Sequence, residues 1–399
     1  MNDETPAPAP DQTNEPPVPS RLQRLKAKAI LFAKNNWKRL VQYVVVAAVA
    51  TAINYWNRDK PGYEPIPVPD VPDLILPPDG WFGPDIKSTQ DALAQQNVYL
   101  FADTDAGKAV MGDDDNVFLW KYAQKARGSD IPPRDQGPVG SCVSFGFGTG
   151  IEYLLAVQTV RGKGQFEQVD VAHEVIYAGS RVEVNGGRVP FSGDGSLGSW
   201  MVKWVTTGGV VPRGVYGSTD LTTYNPQRCR QWGSSGVPAD LKPIAQKNLI
   251  VSAGLVRTSA ELKKALQQGY PVPVCSGVGF TSRVRDADGF LRAQGSWGHC
   301  MVFIGYRGGP RPGFCCMNSW PESAWVSGPR GLGDPPPQSF WVEPSTVDRM
   351  LGEGDSWALS GAKGFPKQKL KPEDWIIKNN ALDHLFARRG LLECFALSY

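Results

Sequence analysis

The hydrophobic pattern of this chain changes near position 270 from a helical spacing to a strand-like one. Apolar residues recur at helical intervals in 150–157 and 199–205. Thr258 and Glu261 form a capping-box pattern that predicts the start of a further helix, and Gly269 is placed to end it. Short apolar runs typical of β-strands, separated by turns rich in glycine and proline, follow at 270–274, 300–306, 314–317 and 339–342. A helical half followed by a mainly β half predicts an α+β fold.

An uncharged segment near the N-terminus predicts a membrane anchor. Residues 40–56 contain no charged side chain, and their number is close to the shortest helix that spans a bilayer. Residues 21–39 hold seven Lys or Arg and no acidic residue, which predicts a cytoplasmic N-terminus with the rest of the chain across the membrane. The alternatives are a signal sequence that ends at the Ala-x-Ala patterns within 48–52, or a buried or interfacial helix. In those cases the protein is soluble, either cytoplasmic or secreted.

Composition divides the chain into six segments. They are an acidic, proline-rich tail with a basic amphipathic segment (1–39), the predicted transmembrane helix (40–56), a proline-rich linker (57–84), a connecting segment of mixed composition (85–114), a globular domain (115–360) and a helical C-terminal extension (361–399). Eight prolines between positions 61 and 84 predict a stiff, extended spacer. Such a spacer would hold the globular domain away from a bilayer surface.

Charge and cysteine content exclude several classes of protein. A formal net charge of +3, with no long basic tract in the globular domain, argues against nucleic-acid binding. Seven cysteines without a Cys-x-x-Cys pattern, and only three histidines, argue against a structural zinc site, and we expect no cofactor. The acidic groups at 103–105 and 113–115 complete no calcium loop and are interpreted as solvated turns. The lack of a disulfide framework favours a reducing compartment, in conflict with the charge asymmetry around the predicted anchor.

Cys142 has the sequence surroundings of a nucleophile. A thiol reacts as its thiolate, so a catalytic cysteine needs a lowered pKa. Cys142 stands just before a helical stretch, where backbone N–H groups favour negative charge. Gln136, six residues earlier, is placed to donate a side-chain N–H to an oxyanion, together with the backbone N–H of Cys142. Most single cysteines are inert core residues, and the spacing to Gln136 is what favours the catalytic interpretation.

His299 is the histidine best placed to act with Cys142. It begins a predicted strand, whereas His173 lies in a predicted helix and His384 in the C-terminal extension, and we interpret these two as packing or surface residues. Asn318 is the expected partner of His299, because its amide oxygen can accept from one ring nitrogen and fix the tautomer. Trp320 would cover that hydrogen bond from water, and Ser319 lies between the two.

These residues, in this order, resemble the papain-like cysteine peptidase family, and more closely its bacterial and viral members. The resemblance spans roughly 115–360 and implies a two-lobed α+β fold, with a helical lobe that carries the cysteine and a β-barrel-like lobe that carries the histidine and asparagine. It also implies that Gly195 and Ser196 lie along the cleft and pair with substrate backbone. Trp297 and Gly298, next to the histidine, are assigned to substrate binding, although Trp297 fits the barrel core equally well.

The chain departs from the family's usual pattern at several positions. Val143 follows the nucleophile where the family usually has tryptophan, and Val139 replaces a half-cystine. Gly298 precedes the histidine in place of Asn or Asp, and Pro321 follows Trp320 in place of glycine. The connecting segment is also too short for a full inhibitory pro-domain. These departures concern regulation and substrate preference, because all four positions that react or stabilise are filled.

The resemblance implies a cysteine endopeptidase that acts on a peptide or protein substrate through an acyl-enzyme. One alternative is a cysteine amidase that cleaves peptidoglycan cross-links or isopeptides, which shares the order of cysteine and histidine. Another is a binding or structural module that keeps the fold without activity. The sequence carries no signal for the cleavage specificity or the oligomeric state.

Overall fold

The computed structural model describes residues 80–81, 98–112, 116–162, 170–187, 193–280, 283–321, 325–361 and 363–370. Three predicted segments lie outside the described residues. They are the tail and transmembrane helix (1–56), the linker apart from Gly80 and Trp81, and the C-terminal extension beyond 370. Within the described ranges, no helix combines the length and the apolar character needed to cross a membrane. The predicted anchor at 40–56 therefore stays a prediction.

The elements follow the predicted order, with most helices before position 270 and most of the sheet after it. The helices are α1 (Asp105–Lys108), α2 (Leu119–Arg127), α3 (Cys142–Val160), α4 (His173–Arg181), α5 (Gly198–Thr207), α6 (Pro226–Ser235), α7 (Lys242–Ala245), α8 (Ser259–Gln267) and α9 (Pro344–Leu351). The strands are β1 (Val117–Phe118), β2 (Val215–Tyr216), β3 (Thr219–Asp220), β4 (Ser252–Leu255), β5 (Val272–Val278), β6 (Ser296–Arg307), β7 (Gly313–Met317), β8 (Ser339–Val342) and β9 (Trp357–Ser360). The predicted two-lobed α+β architecture, helical on one side and a sheet on the other, is confirmed.

Helix α8 shows how local sequence sets the ends of an element. The Thr258 side chain accepts from the backbone N–H of Glu261, and the Glu261 carboxylate accepts from the N–H of Arg257. The predicted capping box is therefore present, except that the glutamate reaches one residue further back than the usual pattern. Gly269 follows the last turn with a φ of 83°, a left-handed conformation that favours glycine and ends the helix.

The main sheet is antiparallel and is organised around the long strand β6. One edge of β6 pairs with β5 near its start and with β1 near its end, and its other edge pairs with β7, which in turn pairs with β8. His299 lies opposite Ser276 in this register, and the pairing shifts between Ser276 and Val278. A bulge of this kind bends a strand and redirects its side chains, and here it lies beside the candidate histidine.

Helix α3 is the central helix of the fold and is buried along almost its whole length. Its glycines let neighbours approach closely. A Cβ at Gly146 would lie 2.7 Å from Cys300 Sγ and 2.8 Å from the Met301 carbonyl oxygen, so helix and sheet could not meet this closely with a larger residue. This contact brings the start of α3 and the start of β6 to the same end of the molecule.

Residues on both sides of the 115–360 range also pack into the domain. Leu100 forms a parallel bridge with Leu255, and the buried ring of Phe101 packs edge-on against Phe365 at 5.2 Å. The backbone N–H of Leu370 donates to the carbonyl of Gln267 at the end of α8. Residues 98–112 and 363–370 are therefore part of the same core, because their apolar side chains cover the ends of α8 and β4.

Candidate active site

Cys142 is the first residue of α3 and is fully buried. Ser141 occupies the N-cap position without a side-chain hydrogen bond to the helix. The N–H groups of Ser144 and Phe145 donate to the Ser141 carbonyl, and the N-terminal end of a helix is a position that favours negative charge on a thiol. None of the six cysteines within the described ranges forms a disulfide.

His299 and Asn318 form the hydrogen-bonded pair that the sequence predicts. Nε2 of His299 lies 2.8 Å from Oδ1 of Asn318, which also accepts from the backbone N–H of Ser319 at 2.7 Å. An amide oxygen only accepts, so Nε2 carries the hydrogen and Nδ1 is the nitrogen that can exchange a proton with a reacting group. Both side chains are almost completely buried.

Aromatic side chains surround this pair. The Trp320 ring stacks on the His299 ring with 4.2 Å between centroids, and Trp297 meets the same ring edge-on at 5.2 Å. Trp325 packs against both tryptophans. Water is thereby kept away from the His299–Asn318 bond, which strengthens it. Trp297, 9% exposed, is part of this aromatic cluster and so of the sheet side of the core.

Gln136 is held with its amide in a defined orientation. Its Oε1 accepts from Ser319 Oγ at 2.7 Å, and its Nε2 donates to the Val139 carbonyl at 3.0 Å. An amide nitrogen has two N–H donors, so Nε2 can bind Val139 and an oxyanion at the same time. The backbone N–H of Gln136 donates to the Ser319 carbonyl, and Tyr224 Oη donates to the Gln136 carbonyl. Tyr224, which sequence reasoning missed, therefore helps to position this loop.

The four candidate catalytic residues meet at one place although they come from distant parts of the chain. Gly146, one turn after Cys142, contacts Cys300, the neighbour of His299. The loop with Gln136 is bonded to Ser319, the neighbour of Asn318. The start of α3, the start of β6 and the chain after β7 thus converge.

A segment of the chain itself lies on Cys142. The backbone N–H groups of Gly80 and Trp81 both donate to the Gly298 carbonyl, at 2.9 and 3.1 Å, and the N–H of Ser196 donates to the Gly80 carbonyl at 2.8 Å. A Cβ at Gly80 would be 2.8 Å from Cys142 Sγ, so only glycine fits above the thiol. Gly298 and Ser196, which the sequence assigns to substrate binding, therefore bind the backbone of this chain.

The side chain of Trp81 reaches the buried carboxylate of Asp355. Its indole Nε1 donates to Asp355 Oδ2 at 2.8 Å, and only 2% of Trp81 is exposed. The same carboxylate accepts from the Gly198 N–H and from the Trp357 indole. Burial raises the pKa of Asp355, and these hydrogen bonds oppose that rise. Nothing in the local sequence around Asp355 indicates this contact.

The segment with Gly195 and Ser196 is held by helix α4. Tyr177 Oη accepts from the Gly195 N–H at 2.8 Å, and Arg181 donates to the Gly195 carbonyl. Ser196 Oγ lies 2.9 Å from Ser180 Oγ. The Ser196 side chain and the Gly195 carbonyl are thus bonded within the fold. The backbone N–H of Ser196 is the group of this segment that binds Gly80.

Of the remaining histidine and acidic candidates, His173 and the turn at 103–105 lie within the described residues, and the acidic group at 113–115 lies outside them. His173 is buried against Phe145, and burial together with Arg213 and Arg134 lowers its pKa well below 6.5. His384 lies outside the described residues. Thr104, between Asp103 and Asp105, caps α1 by accepting from the Gly107 N–H. In the part of the chain that the structure describes, no group of His, Cys, Asp and Glu side chains is arranged to hold a metal ion.

No protein-family model matches the chain, and no curated protein matches it by sequence. Among solved structures it is similar to xylellain, a cysteine protease from Xylella fastidiosa, with 21% identity, 63% of this chain and 87% of that chain covered, and a TM-score of 0.42. It is similar to the proform of the ragweed pollen allergen Amb a 11, a cysteine protease, with 15% identity, 86% and 95% covered, and a TM-score of 0.47. Procathepsin L 3 of the Tenebrio molitor larval midgut gives 12% identity, 83% and 98% covered, and 0.42. At such identities the chemistry has to be derived from this chain's own side chains.

Proposed function

We propose that this protein is a cysteine endopeptidase. The observation that carries the proposal is that Cys142, at the start of a buried helix, and Gly298, the neighbour of His299, both adjoin Gly80, while Asn318 fixes the tautomer of His299. Gln136 adds an oriented amide donor at the same place. A nucleophile, a proton donor and an oxyanion donor are the three groups that acyl transfer requires.

The reaction follows from these positions. The Cys142 thiolate attacks the carbonyl carbon of a peptide bond, and the electron pair of the C=O bond moves onto the oxygen. Gln136 Nε2 and the backbone N–H of Cys142 stabilise that oxyanion. His299 gives its Nδ1 proton to the leaving amine as the C–N bond breaks, leaving a thioester. It then takes a proton from water, which attacks the thioester and releases the acid and the thiolate.

The N-terminal segment enters the proposal as an anchor. We propose that residues 40–56 span a membrane, with the N-terminus cytoplasmic and the catalytic domain on the opposite side; the seven basic residues in 21–39 support this. Deletion of 40–56 should move the protein from the membrane fraction to the soluble fraction. Recovery of the intact full chain in the soluble fraction would contradict the anchor. The lack of a half-cystine at Val139 supports the bacterial or viral type of this peptidase class.

The decisive test is cleavage of a mixed synthetic peptide library by the full chain, read by mass spectrometry. Cys142→Ala should lower the rate by at least about a thousandfold, because the nucleophile is lost. Cys315→Ala is the matched control: burial raises the pKa of the Cys315 thiol to about 12, so its loss removes no reactive group. Equal cleavage by Cys142→Ala and the parent would disprove the peptidase.

The same preparation separates the two alternatives. A thiol-directed epoxide at neutral pH should label Cys142 faster than Cys275, whose thiol pKa is raised by burial. Cleavage of isopeptides or peptidoglycan cross-links, with α-peptides left intact, would assign the amidase. Because Gly80 covers Cys142 in the parent, the inactive module would be assigned by no cleavage in the parent and in Trp81→Ala, together with equal labelling of both cysteines in Trp81→Ala.

A further inference from the structure

Gln338, the residue immediately before β8, is a buried glutamine of which 1% is exposed. Strand β8 pairs with β7 so that Ser339 lies opposite Met317. This register brings Gln338 next to Asn318, whose backbone N–H donates to the Gln338 carbonyl at 3.3 Å. The side chain of Gln338 therefore starts beside the hydrogen-bond partner of His299.

The side-chain amide of Gln338 connects two parts of the active site. Its Oε1 accepts from the backbone N–H of Arg134 at 2.7 Å, and its Nε2 donates to the Arg134 carbonyl at 2.7 Å. Nε2 also donates to the Trp320 carbonyl. An amide has one accepting oxygen and two N–H donors, so the oxygen and both donors are engaged. Two bonds to one residue fix the direction of the Arg134 backbone as well as its distance.

Arg134 lies two residues before Gln136, the proposed oxyanion donor. Its guanidinium donates to the buried carboxylate of Glu152 on α3 at 2.7 Å. The backbone of Arg134 is thus held from the sheet side, and its side chain is held by the helix that begins with Cys142. Because so few bonds separate Arg134 from Gln136, the contact with Gln338 also limits where the Gln136 amide can lie.

A second buried side chain fixes the backbone that carries Gln338. Arg285, 3% exposed, donates from Nη1 to the Pro337 carbonyl at 3.1 Å and to the Ser339 carbonyl at 2.7 Å. The guanidinium therefore holds the chain on both sides of Gln338. Fixing a long side chain costs conformational entropy, and less remains to be fixed when its backbone is already held.

We infer that Gln338 is a positioning residue of the proposed reaction, and that its amide places the Gln136 donor in the active site. Ser319 Oγ holds the Gln136 side chain, whereas Gln338 holds the backbone that leads to it. An oxyanion donor is effective only when it points at the place where the charge develops. This inference rests on the proposed function, because the position of Gln136 affects the rate only if its amide stabilises an oxyanion.

The test is a double-mutant cycle between Gln338→Met and Gln136→Ala in the full chain, measured with the best peptide from the library. Methionine keeps the length of glutamine and removes all three side-chain hydrogen bonds. Gln338→Met should lower kcat by about tenfold to a hundredfold, with KM within a few-fold, because the donor is slightly misplaced. In Gln136→Ala the same change should lower kcat by no more than about threefold, because the donor that it positions is gone. Equal losses in both backgrounds would overturn the inference.

Gln268→Met is the matched control. Gln268 is also fully buried, and its Nε2 donates to the Ala106 and Lys264 carbonyls at 2.8 and 3.0 Å. Its Oε1 accepts from the Gln368 N–H at 3.1 Å. Urea unfolding should show that both methionine variants are destabilised, but only Gln338→Met should lose kcat. A similar loss of kcat in Gln268→Met would assign the effect to lower stability and reject the positioning role.

If Gln338→Met does not fold, Gln338→Asn enters the same cycle, since it keeps the amide but is one methylene too short to hold all three bonds. An unchanged kcat in the variant that folds, with cleavage by the parent, would retain the peptidase and reject the role of Gln338. No cleavage of any peptide by the parent would reject both.

Discussion

Two buried histidines in the described ranges, His173 and His299, share a similar packing environment. Each imidazole stacks on an aromatic ring with 4.2 Å between centroids, Phe145 for His173 and Trp320 for His299. Each is almost completely shielded from solvent. Burial and ring stacking therefore do not distinguish a packing histidine from a catalytic one in this fold.

Their polar partners differ. His299 bonds to the neutral amide oxygen of Asn318, which can accept from an imidazolium as well as from a neutral ring. His173 has Arg213 at 3.3 Å from Nδ1, and burial with the positive charges of Arg213 and Arg134 lowers its pKa. Burial is the largest cause of this lowering and the two arginine charges add to it, so the His173 ring is poorly suited to hold the second proton that acid catalysis needs.

Replacing each histidine should give the largest difference between the two sites. His299→Ala should lower kcat/KM by about a thousandfold or more, because the thiolate loses its ion-pair partner and the leaving amine its proton donor. His173→Gln should stay within a few-fold of the parent. The rates are measured with the best peptide from the library, after circular dichroism has shown that both variants fold. Equal losses would mean that the two rings share a structural role.

Asn318 provides a smaller and more specific test. Asn318→Ala should cost about a hundredfold in kcat/KM, because the imidazole loses the acceptor that orients it. Asn318→Asp keeps an acceptor and adds a negative charge, which favours the imidazolium and raises the pKa of His299. The alkaline limb of the kcat/KM profile should then move to higher pH. An unchanged limb would show that the Asn318 side chain does not face the titrating ring.

The catalytic residues of the site were more predictable from the sequence than the segment that covers Cys142. The Gln136–Cys142 interval and the Asn318-Ser319-Trp320 run are local patterns, and the structure brings them together with His299. The helix start at Thr258 was equally readable, since caps depend on neighbours in sequence.

The position of the 80–81 segment could not be read in the same way. Trp81 and Asp355 are 274 residues apart, and neither lies in a pattern that names the other. Proline content predicts an extended linker, but it does not say where such a linker ends and a docked segment begins. The contact exists only after folding has brought the Asp355 carboxylate next to Trp81.

The two histidine sites also differ in which part of the chain covers them. His173 is covered by α3 itself, since a Cβ at Gly148 would lie 2.7 Å from its Nε2, whereas the nucleophile beside His299 is covered by Gly80. Trp81→Ala removes the indole bond that anchors this cover and should speed epoxide labelling of Cys142 by about tenfold, the worth of one buried hydrogen bond. Trp357→Phe, which removes a different donor to Asp355, is the control. A similar rise in both variants would point to general loosening.

The smallest expected effect concerns stability and His173. Its pKa is lowered in the folded state from the usual 6.5, so the unfolded chain binds the proton more readily. The stability that this neutral ring contributes is complete above pH 6.5 and is lost as the pH falls through the folded pKa. Between pH 6.5 and 5 the loss is at most about 2 kcal/mol, from about 1.4 kcal/mol per pH unit. Urea unfolding at pH 7.5 and 5 should show a smaller fall for His173→Phe than for the parent. An equal fall in both would assign the acid sensitivity to groups other than His173.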